Sequence, residues 1–261
     1  MDVEPATVVH AYGIVGGDAT FDLPDVGVGA AGVALLDAGP VSGVFSILPE
    51  SSYGASAWAE HAEDAVWLTK LATEHHRVLG ALVQDTDVLP LRLPAMYRDE
   101  GHLHEVLASE ATLFRAALES LHDHLEWSVH LYRVGEPTTP TPERPASGRE
   151  YLRRRTEAVT HRELARVKRE QLVREAYASL ADLSRQSVAN PPQDSALSGR
   201  PEPMLLNSAH LVCRKHERLF FTAVEETAAR LAPVGITIEV TGPWPPYNFV
   251  ELGADHPESQ P

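Results

Sequence analysis

The stretch Ile236-Thr-Ile-Glu-Val-Thr-Gly-Pro-Trp-Pro-Pro-Tyr-Asn-Phe-Val250 decides how this chain is read. In its first half Ile236, Ile238 and Val240 alternate with Thr237, Glu239 and Thr241, the period-two pattern of a strand with one buried face. In its second half Pro243, Pro245 and Pro246 fix φ, and Pro245 pushes Trp244 out of the α region. The expectation is a stiff, extended backbone carrying Trp244, Tyr247 and Phe249. Two readings stay open. The rings can pack back onto the protein's own sheet, each fully buried one contributing about 2–3 kcal/mol. Alternatively they form a rigid docking surface, with Pro243-x-x-Pro246 suited to a polyproline receptor.

Working upstream, Leu219, Phe220, Ala223, Val224, Thr227, Ala228 and Leu231 mark a helix, and Leu205 to Arg214 has strand character. Ser187 to Pro203 holds four prolines and many small polar residues and reads as a mobile loop. From Arg149 to about Arg185 there is neither Pro nor Gly, which predicts one long helix or a helical hairpin with a ragged apolar stripe. Before it come a Pro/Thr-rich loop, Gly135 to Gly148, and a strand, Glu126 to Val134, in which Trp127, Val129 and Leu131 alternate with polar residues. Strand, long helix, strand, helix, strand is the order of a ferredoxin-like domain that lacks, or disguises, one strand.

The first half reads as a separate α+β domain. Thr7 to Val15 is a strand ending at Gly16-Gly17, and Gly32–Asp37 with Val41–Leu48 form a hairpin around Ala38-Gly39-Pro40. An amphipathic helix is expected from about Ala57 to Asp85. Val88 to Leu93 follows as an edge strand, because Pro90 lacks a ladder donor, and a second helix carries Leu103 through Leu121. The domains are therefore set at 1–121 and 122–253, with 254–261 a flexible acidic tail.

The chain has 261 residues, 43% of them hydrophobic, enough to bury a sizeable core without a staple. Twenty-two basic against 37 acidic residues give a net charge of −15, a field that repels phosphate backbones and argues against a nucleic-acid partner. The single cysteine, Cys213, closes no intrachain disulfide and fits a reducing cytoplasm. No export signal is visible and no apolar run is long enough to span a bilayer.

Several patterns invite chemistry. Gly27-Val-Gly-Ala-Ala-Gly32 satisfies GxGxxG, but neither a delivering strand nor a receiving helix flanks it, so it reads as a flexible lead into the hairpin. Among thirteen histidines, His102 and His104 point to opposite sides of a helix, whereas His122 and His124 share a face if both lie in the incoming strand. That pair, with nearby carboxylates, supports an alternative function as a metal-dependent or small-molecule enzyme in a cleft between the domains. His75 lies on an apolar helix stripe, where a hydrogen-bonded core imidazole is expected. No GxSxG occurs, and Cys213 on a strand reads as an inert buried thiol. Arg153-Arg154-Arg155 is a local basic patch in an acidic protein: a solvated helix face, a contact for an acidic partner, or a set of pairs with neighbouring glutamates.

Tyr12-Gly-Ile-Val15, His75 to Leu79 followed by Val88-Leu-Pro-Leu-Arg-Leu93, Glu126-Trp-Ser-Val129, Tyr151-Leu152 and above all Gly242-Pro-Trp-Pro-Pro-Tyr-Asn-Phe-Val250 resemble, in order, the GvpL/GvpF family of gas vesicle proteins. Two places depart from the family pattern: Leu93-Pro94-Ala95 follows Arg92 where Phe-Gly-Thr is usual, and Asn248 stands where Ser is common. The resemblance implies a two-domain α+β protein with a modified ferredoxin-like C-terminal domain. It also implies a place at the gas vesicle, in the cytoplasm, and an assembly role through association with the small hydrophobic shell protein and other accessory proteins. It implies no enzymatic activity and no cofactor. The residues singled out for partner binding or domain closure are Arg92, Pro243, Trp244, Pro245, Pro246, Tyr247 and Phe249.

Overall fold

A computed structural model describes residues 6–135, 148–195 and 199–250. The expected tail at 254–261 and nearly all of the Pro/Thr-rich loop lie outside the described residues. The chain forms two compact units, one from residues up to Glu126 together with those from Pro243 onward, the other from Trp127 to Gly242. The expected division at residue 121 therefore falls five residues early, and the segment from Pro243 packs with the first unit instead of closing the second. The reason is a set of long-range hydrogen bonds by which Arg92 and Glu126 hold Tyr247 and Asn248.

The first unit is built on a five-stranded sheet in which β2 (Ala34–Asp37), β3 (Val41–Pro49), β1 (Thr7–Gly16) and β4 (Val88–Pro90) lie in that order, with the short β5 (Met96–Tyr97) also on β1. All the pairings are antiparallel, and a bulge at Ala11/Gly13 shifts the β1–β3 register. β1 is buried along almost its whole length because helices cover both of its faces. A Cβ on Gly13 would lie 2.9 Å from Leu79 of α3 (Ala65–Asp85). On Gly43, which pairs with Ile14, it would lie 2.8 Å from Leu107 of α4 (Glu100–Ser109). The two helices expected from hydrophobic period are each broken in two. Asp64 accepts from the amides of Val66 and Trp67 and starts α3 afresh after α1 (Glu50–Tyr53) and α2 (Ala55–His61). Glu110, at φ −102° and ψ 9°, separates α4 from α5 (Ala111–Leu121).

In the second unit β6 (His124–Arg133), α6 (Gly148–Ala181), β7 (Gln186–Asn190), β8 (Met204–Cys213), α7 (Glu217–Leu231) and β9 (Ile236–Trp244) follow one another, and the sheet order is β7-β8-β6-β9. This is the complete βαββαβ sequence of a ferredoxin-like fold. The strand that seemed missing is β7, at the head of the segment read as a loop. Its five residues pair antiparallel from Gln186↔Leu211 to Asn190↔Asn207, so ladder hydrogen bonds override a composition that favours loops. Two apolar clusters seat the helices. Val129, Val212 and Phe220 gather around Leu180, and Leu131, Leu206 and Ile236 around Ala176. α6 is one helix of 34 residues, not a hairpin, and among its described side chains the buried ones, Ala176 and Leu180, lie in its last third.

Candidate functional site

After Trp244 the backbone does not continue as an extended rod. Pro246, at φ −78° and ψ 54°, is the centre of an inverse γ-turn in which the Tyr247 amide donates to Pro245 O at 2.8 Å. A single 3-10 turn, Tyr247–Phe249, follows, with the Phe249 amide on Pro246 O. Pro245 and Pro246 are buried, while Pro243, Trp244, Tyr247 and Phe249 are half-buried. The fixed φ of proline suits the turn as well as it suits an extended helix; the hydrogen bond chooses ψ. The segment is therefore not displayed as a polyproline helix, and the Pro243-x-x-Pro246 reading is corrected to a turn.

Three side chains of the first unit hold this turn. Arg92 donates from Nη2 to Tyr247 O at 3.1 Å. Glu126, only 3% exposed, accepts from the Asn248 amide on Oε2 at 3.1 Å and from Asn248 Nδ2 on Oε1 at 2.6 Å. His76 lies against both rings, its centroid 5.0 Å from Trp244 and 6.3 Å from Tyr247. Burial pushes the Glu126 carboxyl up to about 7, the two bonds from Asn248 opposing part of that rise. Burial also raises the Tyr247 phenol, with Arg92 pulling against it, and lowers His76. Around them opens a groove of about 920 Å³, lined among others by Ala72, His75, His76, Arg92, Leu93 and Tyr247. Of the residues singled out from sequence, Arg92 and Tyr247 line it, Trp244 reaches it through His76, and the buried prolines set the turn. Glu126, His76 and Ala72 were missed. Glu126 reads as the polar side of an alternating strand, and nothing in its spacing marks it as buried.

Beside the groove two buried imidazoles, His10 and His75, meet edge to face in the core. Leu91 O, 3.1 Å from His75 Nε2, requires a proton there, which leaves Nδ1 to accept from His10 Nε2 at 2.9 Å. Burial lowers His10 to about 3 and His75 to about 4, so both are neutral. This is the hydrogen-bonded core role expected of His75. Beside them the Val28 amide donates to the Tyr12 hydroxyl, which donates to Ser46, which donates to Gly32 O.

That chain explains the glycine motif. A Cβ on Gly27 would lie 2.0 Å from Tyr12 Oη, Gly29 has φ +61°, and its amide donates to Glu74. The loop is pinned against the core instead of flexible; Gly27 answers close packing and Gly29 a left-handed backbone, Gly32 has open space around it, and no strand-to-helix turn is there to receive a phosphate.

His122 Nδ1 lies 2.7 Å from Asp87 Oδ2 on the surface, and His124 Nδ1 faces the His122 carbonyl at 2.5 Å. The two rings thus have separate oxygen partners. Among the described residues no group of three or more His, Cys, Asp or Glu is placed to hold a metal, and no helix is long and apolar enough to cross a membrane.

Comparison with known proteins agrees with this architecture. The family described as gas vesicle synthesis protein GvpL/GvpF matches residues 8–251. Gas vesicle protein L of a Streptomyces species is 32% identical over 235 residues, covering 88% of this chain and 87% of that protein. Gas vesicle protein F1 of Halobacterium salinarum is 23% identical over 181 residues, 68% of each chain. The crystal structure of GvpF from Anabaena sp. PCC7120 superimposes with a TM-score of 0.65 at 16% identity, over 95% of this chain and 97% of that one. GvpF from Microcystis aeruginosa does so with a TM-score of 0.63 at 17% identity, over 93% and 98%. These two likenesses show the shared α+β fold, and the family match, with the similarity to gas vesicle protein L, shows that this chain belongs to the GvpL/GvpF family of gas vesicle proteins.

Proposed function

We propose that the protein is a non-enzymatic assembly factor of the gas vesicle, working in the cytoplasm and at the vesicle by associating with the small hydrophobic shell protein. Family membership supports a gas vesicle role. The observation that carries the finer reading is the groove beside Tyr247. Ala72, Leu93 and the half-buried rings offer apolar surface at a fixed turn, and Arg92 stands at its rim. Rigid aromatics lose little entropy on binding, so such a surface suits an apolar segment of a shell subunit held before it polymerises. The net charge of −15 favours keeping such an intermediate in solution.

The test is co-purification of the chain with its shell subunit at low salt, alongside Ala72→Glu. Ala72 is exposed on α3, so the variant places a charge in the groove without entering the core. Association of the wild type, lost in A72E at an unchanged melting temperature, is expected. No association of the wild type sinks the function; association that survives A72E moves the contact elsewhere on the molecule.

A further inference from the structure

The charge of this chain is divided along its length. Residues 1–126 hold 20 acidic and five basic side chains, whereas residues 148–181, the span of α6, hold nine basic and five acidic. An acidic protein therefore carries one positively charged helix, and between positions 155 and 168 every side chain of that helix is exposed. Some of its charges are neutralised within the helix: Arg166 pairs with Glu163 and Glu170, and Arg153 with Glu157. Arg155 and Arg162 have no ion pair among the described residues. Seven positions apart, they fall on one line, with Ala158 and Val159 between them and Val159 58% exposed. About four and five turns beyond Arg162 the same line reaches Ala176 and Leu180, which pack on the sheet. The exposed half of α6 thus presents an unmet apolar strip bordered by unpaired guanidinium groups.

A second surface has the opposite character. In the first unit Tyr53, Trp58 and His61 gather around Trp67, with ring centroids 6.2, 5.0 and 5.2 Å from it. All four rings are half-buried, and the exposed carboxylates of Glu60 and Glu63 lie among them in sequence, on α2 and just after it. Flat aromatic faces bordered by carboxylates are the surface a guanidinium binds best, since it stacks on the ring and pairs with the acid together.

We propose that the exposed half of α6, through Arg155, Val159 and Arg162, docks on the Trp67 aromatic–acidic patch of a second copy of this chain. The occupant is argued from complementarity, because the same polypeptide carries both the basic strip and the acidic aromatic surface. The contact is heterologous, head to tail, so an open assembly keeps one free helix at one end and one free patch at the other unless it closes into a ring. It is independent of the shell-protein groove and is tested on the purified chain alone.

Sedimentation equilibrium on the wild type is expected to show a weight-average mass that rises with concentration above 28.5 kDa in about 10 mM salt. It should return to the single-chain value near 1 M salt, where screening acts within about 3 Å. R155E/R162E and E60K/E63K, each confirmed folded by circular dichroism, should weaken association at least tenfold when alone. Mixing them should restore a species of twice the chain mass, because one retains the patch and the other the helix. Three results overturn the proposal: a wild type of single-chain mass at every salt and concentration, either variant associating as the wild type does, or a mixture that stays monomeric. The last would point to a contact between like surfaces.

Discussion

Replacing Glu126 by Gln tests whether the C-terminal turn is held by a buried carboxyl that titrates near neutrality. In the folded protein burial raises this group from its ordinary 4.5 to about 7. Below pH 4.5 the carboxyl is protonated in both the folded and the unfolded chain and adds no pH dependence. Between 4.5 and 7 the unfolded chain gives up the proton first, so the stability that the neutral form supplies is lost as pH rises through about 7. Each unit is worth about 1.4 kcal/mol, and between pH 5 and pH 8 the loss comes to about 2–3 kcal/mol. Gln cannot ionise. It also turns an amide toward one of the two Asn248 donors, a mismatch costing about 1–2 kcal/mol that does not vary with pH. The assay is urea unfolding of wild type and E126Q at pH 5, 6, 7 and 8, followed by tryptophan fluorescence. E126Q should be the less stable protein at pH 5 and should overtake the wild type by pH 8. A stability difference that stays flat across the range, or moves the other way, refutes the reasoning.

Three further outcomes are expected. His75→Gln should flatten the acid limb of a melting-temperature profile: burial holds His10 at about 3 and His75 at about 4, so the unfolded chain takes up protons below about pH 6.5 and stability falls as pH drops toward 4. Trp244→Ala should cost about 1–2 kcal/mol in chemical denaturation, below the roughly 3–5 kcal/mol of a fully buried ring, since Trp244 is half-buried against His76. Gly27→Ala should lower the melting temperature by several degrees, because its Cβ would meet Tyr12 Oη, while Gly32→Ala, with nothing within 4 Å, should leave it unchanged.

Much of the architecture could be read from the residues because the signals are local. The alternation of Ile236, Ile238 and Val240 is β9, the Leu103–Leu121 period is α4 and α5, and the proline-marked edge strand is β4. Where reading failed, a competing local force or a distant partner had the last word. Asp64 interrupts an otherwise continuous apolar period by capping two amides, and β7 exists because β8 offers it a ladder. The glycines of Gly27–Gly32 looked like a phosphate motif because a motif records composition, whereas Tyr12 supplies the reason for Gly27 and a left-handed backbone the reason for Gly29.

By itself the sequence determined the class of fold, the βαββαβ order of the second unit in outline, the acidic character and the family, all properties of residue pattern. Tertiary structure alone decided what the segment from Pro243 does. Proline fixes φ but not ψ, so only the hydrogen bonds with Arg92 and Glu126, 155 and 122 positions away, show that the segment turns at Pro246 and joins the first unit. The same distance in sequence hid Glu126: a carboxylate on an alternating strand looks solvated until the chain that buries it is in place.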